Sequence, residues 1–285
     1  MLALGFGLTA AILWAVHDLL ARKLSQGAPL LPIMVMVMAT GCIVLVPVTL
    51  VIGGWSLMTG LAWTLAALSG FAVVLAMGSL YKAFSLAPVR LVSPIVGAYP
   101  MLSLGIAVLQ GREVTSADWL AVLAVCVGIA IVALASRSDA PEGYAASPAL
   151  ALGWASLSMI GFALTFALGQ EAARQGADLP VILVSRVVAL ATSVALLIWY
   201  GSSLAPQRGQ LAVLALMGCV DAVALGLVTA AGVLPRAEYA SVSSSLFGVL
   251  TVLLATWFLK ERVRLVQWLG IATIFAGIGA LSLQG

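Results

Sequence analysis

Residues 99–134 read YPMLSLGIAVLQGREVTSADWLAVLAVCVGIAIVAL, and residues 247–283 read FGVLTVLLATWFLKERVRLVQWLGIATIFAGIGALSL. A shift of 148 to 149 lays the second stretch over the first. Tyr99 then meets Phe247, Leu102 meets Leu250, Glu113 meets Glu261, Trp119-Leu120 meets Trp268-Leu269, Gly128-Ile129 meets Gly277-Ile278, and Leu134 meets Leu283. Working outward, Leu4-Gly5 meets Leu152-Gly153 and Gly27-Ala28 meets Gly176-Ala177. The chain therefore reads as two copies of one unit, residues 1–138 and 148–285, joined by a polar stretch 139–147 that carries Pro141 and Gly143.

The medium in which those units fold follows from composition. Apolar residues make up 63% of the 285 and charged residues 8%, against roughly a quarter charged in ordinary soluble domains. A water-soluble fold of this size keeps a large area in contact with solvent and could not hide so much apolar surface; a bilayer removes the difficulty. Ten apolar runs have the length of a span, about 20 residues: 3–21, 31–52, 60–82, 88–110, 117–135, 148–170, 179–200, 209–232, 237–259 and 264–283. Turn and polar residues separate them, at Arg22 to Pro32, Gly53-Gly54, Ala87-Pro88, Gly111-Arg112-Glu113 and Ser136 to Ser147. No strand alternation competes, and open sheet edges are not viable in lipid. The expected fold is an all-α integral membrane protein of ten transmembrane helices. Met1 leads straight into the first run with no basic n-region and no clear cleavage site, so that run is expected to be a span rather than a removable signal. Five spans per unit is an odd number, so the second unit enters the membrane the other way up, giving an inverted-topology repeat. Transporters so built hold substrate near the midplane, between the repeats.

Lysines and arginines in short loops set orientation. One face carries nine, Arg22, Lys23, Lys82, Arg90, Arg137, Arg208, Lys260, Arg262 and Arg264, and the other three, Arg112, Arg174 and Arg236. Arg186 lies inside a span. The rule places the loops after spans 1, 3, 5, 7 and 9 in the cytoplasm and both termini outside.

With these features in view, the chain resembles the ten-helix drug/metabolite transporters built from two EamA-type repeats. The features that carry the resemblance are Trp14 in the first span, the Pro-rich fourth span from Pro88 to Pro100, and the repeat tails Gly111-Arg112-Glu113…Trp119…Gly128 and Lys260-Glu261…Trp268…Gly277. Among members it looks most like the bacterial exporters of aromatic amino acids. The resemblance implies a multi-pass protein of the bacterial inner membrane, a cavity lined by spans 1, 3, 4, 6, 8 and 9, spans 5 and 10 at the periphery, and alternating access.

Polar and ionisable groups inside spans are costly and therefore candidates for function. Trp14, His17 and Asp18 share one face of span 1 by their spacing, and His17 is the chain's one histidine. Either this face meets substrate and His17 titrates near neutral pH, or Asp18 pairs with Arg22 while His17 sits at the water boundary. Asp18 could also reach Lys82. Tyr81 and Lys82 end span 3, where they present either a ring and a cation to a zwitterion or an interfacial anchor. Pro94 and Pro100 each remove a backbone donor from span 4, which marks Tyr99 as a candidate lining residue; the alternative is a kink for packing alone.

Span 9 offers the hydroxyls of Ser241, Ser243, Ser244 and Ser245, for ligand binding or for close helix packing; Ser244 and Ser245 are the candidates retained. In span 6 Phe162 answers Trp14 in the repeat, so the two rings are expected across the centre from each other. Arg186 and Asp221 are the deepest charges, about four residues or roughly 6 Å apart in depth. They read first as a structural ion pair, with Asp221 as a coupling carboxylate the alternative.

The resulting function is a secondary transporter exporting small metabolites, amino acids in particular, with no cofactor, no metal and no nucleic-acid partner beyond its bilayer. The alternative, an exchanger of phosphorylated metabolites or nucleotide-sugars on the same fold, calls for several inward-facing cations, and only Arg186 and Lys82 qualify. A membrane enzyme finds no H-E-x-x-H, no G-x-S-x-G and a single histidine for base chemistry. No Walker motif points to ATP. Trp55, Trp119, Trp199 and Trp268 read as interfacial belt residues, and Cys42, Cys126 and Cys219 as small buried thiols.

Overall fold

A computed structural model describes residues 2–99, 101–102, 105, 115–137, 148–204, 208–234 and 238–283. Pro100, Glu113 and the stretch 139–147 lie outside these residues. Every described element is helical: α1 (Leu2–Ser25), α2 (Leu30–Ile52), α3 (Gly60–Leu86), α4 (Val89–Val96), α5 (Ser116–Arg137), α6 (Pro148–Arg174), α7 (Asp178–Trp199), α8 (Leu211–Ala230), α9 (Glu238–Ser245), α10 (Phe247–Phe258) and α11 (Leu265–Leu283). They occupy all ten expected span positions. Six of them, α1, α2, α3, α6, α7 and α8, are long and apolar enough to cross a bilayer on their own.

Local signals set the helix ends. Thr59 caps α3 by accepting the Ala62 amide at 3.1 Å, which satisfies a donor that a helix start leaves orphaned. Gly53 and Gly54 take φ of 80° and 94° between α2 and α3, a conformation glycine adopts without steric cost. Pro88 stands at the N-cap of α4.

Packing repeats with the sequence. The pair α1 and α8 is matched by α6 and α3; α2 and α8 by α7 and α3; α1 and α10 by α6 and α4. The pairs α2–α7, α4–α10 and α5–α11 join equivalent helices to each other, as elements at a two-fold axis must. Glycine contacts fix the register. A Cβ on Gly70 would lie 2.6 Å from the Ser185 carbonyl and 2.8 Å from Val188 Cβ, while one on Gly218 would lie 2.5 Å from the Val37 carbonyl and 2.7 Å from Thr40 Cβ. All three positions move by 148: 70 to 218, 37 to 185, 40 to 188. In α5 and α11, Gly128 meets Gly270 and Ile274, and Gly277 meets Ala121 and Val125, with every position moved by 149. The fold is thus two inverted five-helix repeats, held where small residues let backbones close on one another.

Two sequence expectations change. Span 9 is irregular at one residue: a single turn at Leu246, itself at φ −60° and ψ −13°, divides α9 from α10. Beside that turn Ser243 Oγ donates to the Leu4 and Ala240 carbonyls. This irregularity matches the one in span 4, where α4 ends at Val96 and a turn runs through Gly97 to Tyr99. The two spans cross at Gly97 and Gly248, each against backbone of the other. The cysteines also differ from expectation: Cys42 is buried, but Cys126 is exposed and Cys219 half-buried, because a lipid-facing helix surface accepts a thiol as readily as a core does.

Candidate functional site

The centre is built around Trp14. The buried face of α1 carries Gly7, Ala10, Ala11, Trp14, His17, Asp18 and Ala21, so small residues bring neighbouring helices close and the large ones project into the space between the repeats. Trp14 meets Phe162 at 6.4 Å, Phe166 at 5.4 Å and Phe247 at 6.1 Å between ring centroids. Tyr99 meets Phe166 at 4.9 Å. These are the separations at which tilted and edge-to-face aromatic pairs are favourable. Four of the five rings obey the repeat: Trp14 and Phe162 are equivalent, as are Tyr99 and Phe247, each 148 positions apart, while the fifth, Phe166, answers Asp18. Tyr99 is further held by a 2.6 Å hydrogen bond between its hydroxyl and Ser244 Oγ. That bond ties the turn after α4 to the end of α9.

On one flank of the rings lies a polar network that does not obey the repeat. Trp14 Nε1 donates to Asp221 Oδ1 at 3.0 Å. Arg186 Nη1 approaches Asp221 Oδ2 at 2.6 Å, an ionic contact outside well-directed hydrogen-bond geometry, while Nη2 donates to the Asp221 carbonyl at 3.2 Å. Arg186 Nη1 also donates to Met38 Sδ at 3.2 Å. Further along α1, His17 Nδ1 lies 3.2 Å from Asp18 Oδ1 and Nε2 lies 3.0 Å from the Tyr81 hydroxyl. With Asp18 ionised and the ring neutral, Nδ1 donates to Asp18 and Nε2 accepts the Tyr81 proton. Asp18 Oδ2 has no hydrogen-bond partner among the described residues, and Asp18 and Asp221 stand within electrostatic range of each other. In the other repeat the equivalents are Met38 for Arg186, Val73 for Asp221, Thr165 for His17 and Phe166 for Asp18, so the charge sits on one side of the centre and an additional ring on the other.

Of the residues singled out from sequence, Trp14, Tyr99, Phe162 and Ser244 converge on the rings. His17, Asp18, Tyr81, Arg186 and Asp221 form the flank. Ser245 is fully buried at the end of α9. Lys82 is not brought in: it is half-buried and its side chain makes no hydrogen bond or ion pair among the described residues, so the suggested link to Asp18 does not form. Nor does Asp18 pair with Arg22. Its side-chain partner is His17, and Arg22 turns to Glu261 instead.

Sequence reasoning did not nominate Phe166, Phe247 or Met38. The signals were present: Phe166 follows Phe162 by one helical turn, Phe247 is the repeat equivalent of Tyr99, and Met38 that of Arg186.

Two inverted five-helix units, enclosing a ring-lined, partly charged centre within a bilayer fold, define a membrane transporter of small molecules. The model of the EamA-like transporter family matches residues 1–134 and again residues 149–283. The chain belongs to that family, within the drug/metabolite transporters, and is a multi-pass membrane transporter of small metabolites. No curated protein matches its sequence. A solved structure described only as "Crystal structure of protein" is similar over 99% of this chain and 96% of that one, with a TM-score of 0.71 and 17% identity; at that identity the likeness concerns the fold.

Proposed function

We propose that the protein is a secondary exporter of amino acids, aromatic ones included, working by alternating access in a bacterial plasma membrane with both termini on the outer side. We further place its functional units at residues 1–138 and 148–285, with 139–147 as the connection. The observation that carries this reading is the adjacency of the five-ring cage to the Arg186–Asp221 pair. An aromatic amino acid has an apolar ring and two opposite charges. Its ring suits the cage, its carboxylate suits Arg186, and its ammonium suits Asp221. Such a ligand exchanges one internal ion pair for two, so no charge is left uncompensated in a medium where an orphaned charge is costly.

A phosphorylated ligand fits less well. It needs surplus cations, whereas Arg186 is already matched by Asp221 and Lys82 stands outside the network. The paired packing of equivalent helices about this site supports alternating access, in which one repeat rocks against the other.

The test is flux into proteoliposomes of a panel of labelled amino acids, without ATP and at two pH values. Downhill flux of aromatic amino acids supports the reading; no flux of any amino acid in the panel rejects it. A pH dependence of that flux would support proton coupling.

A further inference from the structure

At the basic end of the molecule, far along α1 from Trp14, a single carboxylate joins the two repeats. Lys260, two residues past the end of α10, takes φ of 57°, in the left-handed region that non-glycine residues seldom adopt. The Glu261 amide bonds back to the Ala255 carbonyl at 3.3 Å. This turn carries Glu261 under the start of α4, where Oε1 accepts the Val89 amide at 3.3 Å and Oε2 the Arg90 amide at 3.5 Å. Those amides are donors that a helix start leaves without intrahelical partners, and the helix dipole favours an anion beside them. The same carboxylate lies 3.5 Å from Arg22 Nε at the end of α1, and Arg22 donates to the Phe84 carbonyl at the end of α3. One side chain of the second repeat thus holds the end of α1 and the start of α4, both from the first, and Arg22 extends the link to the end of α3.

We infer that Glu261 is the latch of a gate at this end of the transporter. The contact is built to be released as a unit. Three of its contacts converge on one carboxylate, which is borne on a short turn between α10 and α11 rather than on a helix, and which keeps only about a tenth of its surface exposed (11%). α4 leads directly through Ser93 and Gly97 to Tyr99, so freeing its first turn frees the segment that carries a ring of the central cage. While Glu261 caps α4, this end is shut; when the carboxylate leaves, α4 swings and water reaches the centre from this side. The inference rests on the transporter reading but on no particular substrate.

Cysteine accessibility tests it. In the full chain reconstituted in liposomes, with Cys42, Cys126 and Cys219 replaced by alanine, Ser93→Cys places a thiol one turn inside α4 at a fully buried position. Losing charge-assisted bonds of this kind shifts an equilibrium by about tenfold or more. Glu261→Gln should therefore speed labelling of that thiol by an impermeant maleimide about tenfold, from the basic end only. Glu261→Asp, which keeps the charge on a shorter arm, should fall between. The exchange Arg22→Glu with Glu261→Arg should stay open, because the α4 amides repel a cation; rescue by that exchange would reduce the feature to an ordinary ion pair and overturn the latch. Unchanged labelling in Glu261→Gln would overturn it as well. Should Glu261→Gln fail to fold, the Glu261→Asp rate decides alone: faster than the parent supports the latch, and equal to it rejects it. No amino acid is present in the assay, so a wrong substrate assignment leaves its outcome untouched.

Discussion

The indole of Trp14 donates a 3.0 Å hydrogen bond to the carboxylate of Asp221, joining the first helix of one repeat to a charge in the third helix of the other. Each residue also faces a different chemistry. Trp14 is at the centre of five aromatic rings, and Asp221 is the partner of the most deeply buried arginine. The bond is therefore where the apolar and ionic halves of the central site meet, and it fixes the indole plane against the cage.

Removing Arg186 should damage the protein more than removing both members of its pair. Arg186→Ala leaves Asp221 buried without its cation, a loss of about 3–5 kcal/mol for a broken buried pair. Converting each to its repeat equivalent, Arg186→Met with Asp221→Val, should recover most of that stability while abolishing amino acid flux. Thermal unfolding of the detergent-solubilised variants reads the first effect and proteoliposome flux the second. A double variant no more stable than the single one would count against the pair as the source of the loss.

Tyr99 and Trp119 separate site from membrane belt. Tyr99 is 1% exposed and hydrogen-bonded to Ser244, whereas Trp119 is 61% exposed on the outer surface of α5. At equal expression Tyr99→Ala should lower flux at least tenfold, on the order of 1.4 kcal/mol in the barrier. Tyr99→Phe should cost less because the ring stays, and Trp119→Ala should leave flux within about twofold. The reverse order would contradict the assignment of the centre.

The span positions and the inverted repeat were legible in the sequence, because apolar length and a 148-to-149 shift are properties of the chain alone. The irregularity in span 9 was not: serines support a helix as well as a turn, and only the crossing of Gly97 with Gly248 decides between them. Trp14, Phe162 and Tyr99 could be picked out as aromatic residues at repeat-related or proline-disrupted positions. The partners of the charges were harder, since Asp18 had Arg22 and Lys82 within reach along the sequence yet is held by His17. Helical spacing ranks neighbours on one helix, but it says nothing of Glu261, more than 200 positions away, which takes Arg22 instead.

The two-fold register makes its own prediction. Gly70 and Gly218 occupy equivalent contacts, with added Cβ atoms 2.6 Å and 2.5 Å from opposing carbonyls. Gly70→Ala and Gly218→Ala should each destabilise by about 1–3 kcal/mol, as overpacking does, and by similar amounts. Gly5→Ala, with nothing within 4 Å of the new methyl, should change the midpoint of thermal unfolding little. A large difference between the first two would break the equivalence.

Orientation follows from nine basic residues against three in the loops. Ser138→Cys, in the same cysteine-free background, should be labelled by an impermeant maleimide from the cytoplasmic side of oriented vesicles. Labelling from the outer side alone would invert the assignment and carry the Glu261 end with it.

The most direct measurement is equilibrium binding of labelled phenylalanine to the purified protein. The account predicts saturable binding by the parent, loss of that binding in Trp14→Ala and in Phe166→Ala, and full retention in Trp119→Ala. Saturable binding that survives both cage substitutions would place the substrate elsewhere and contradict the account.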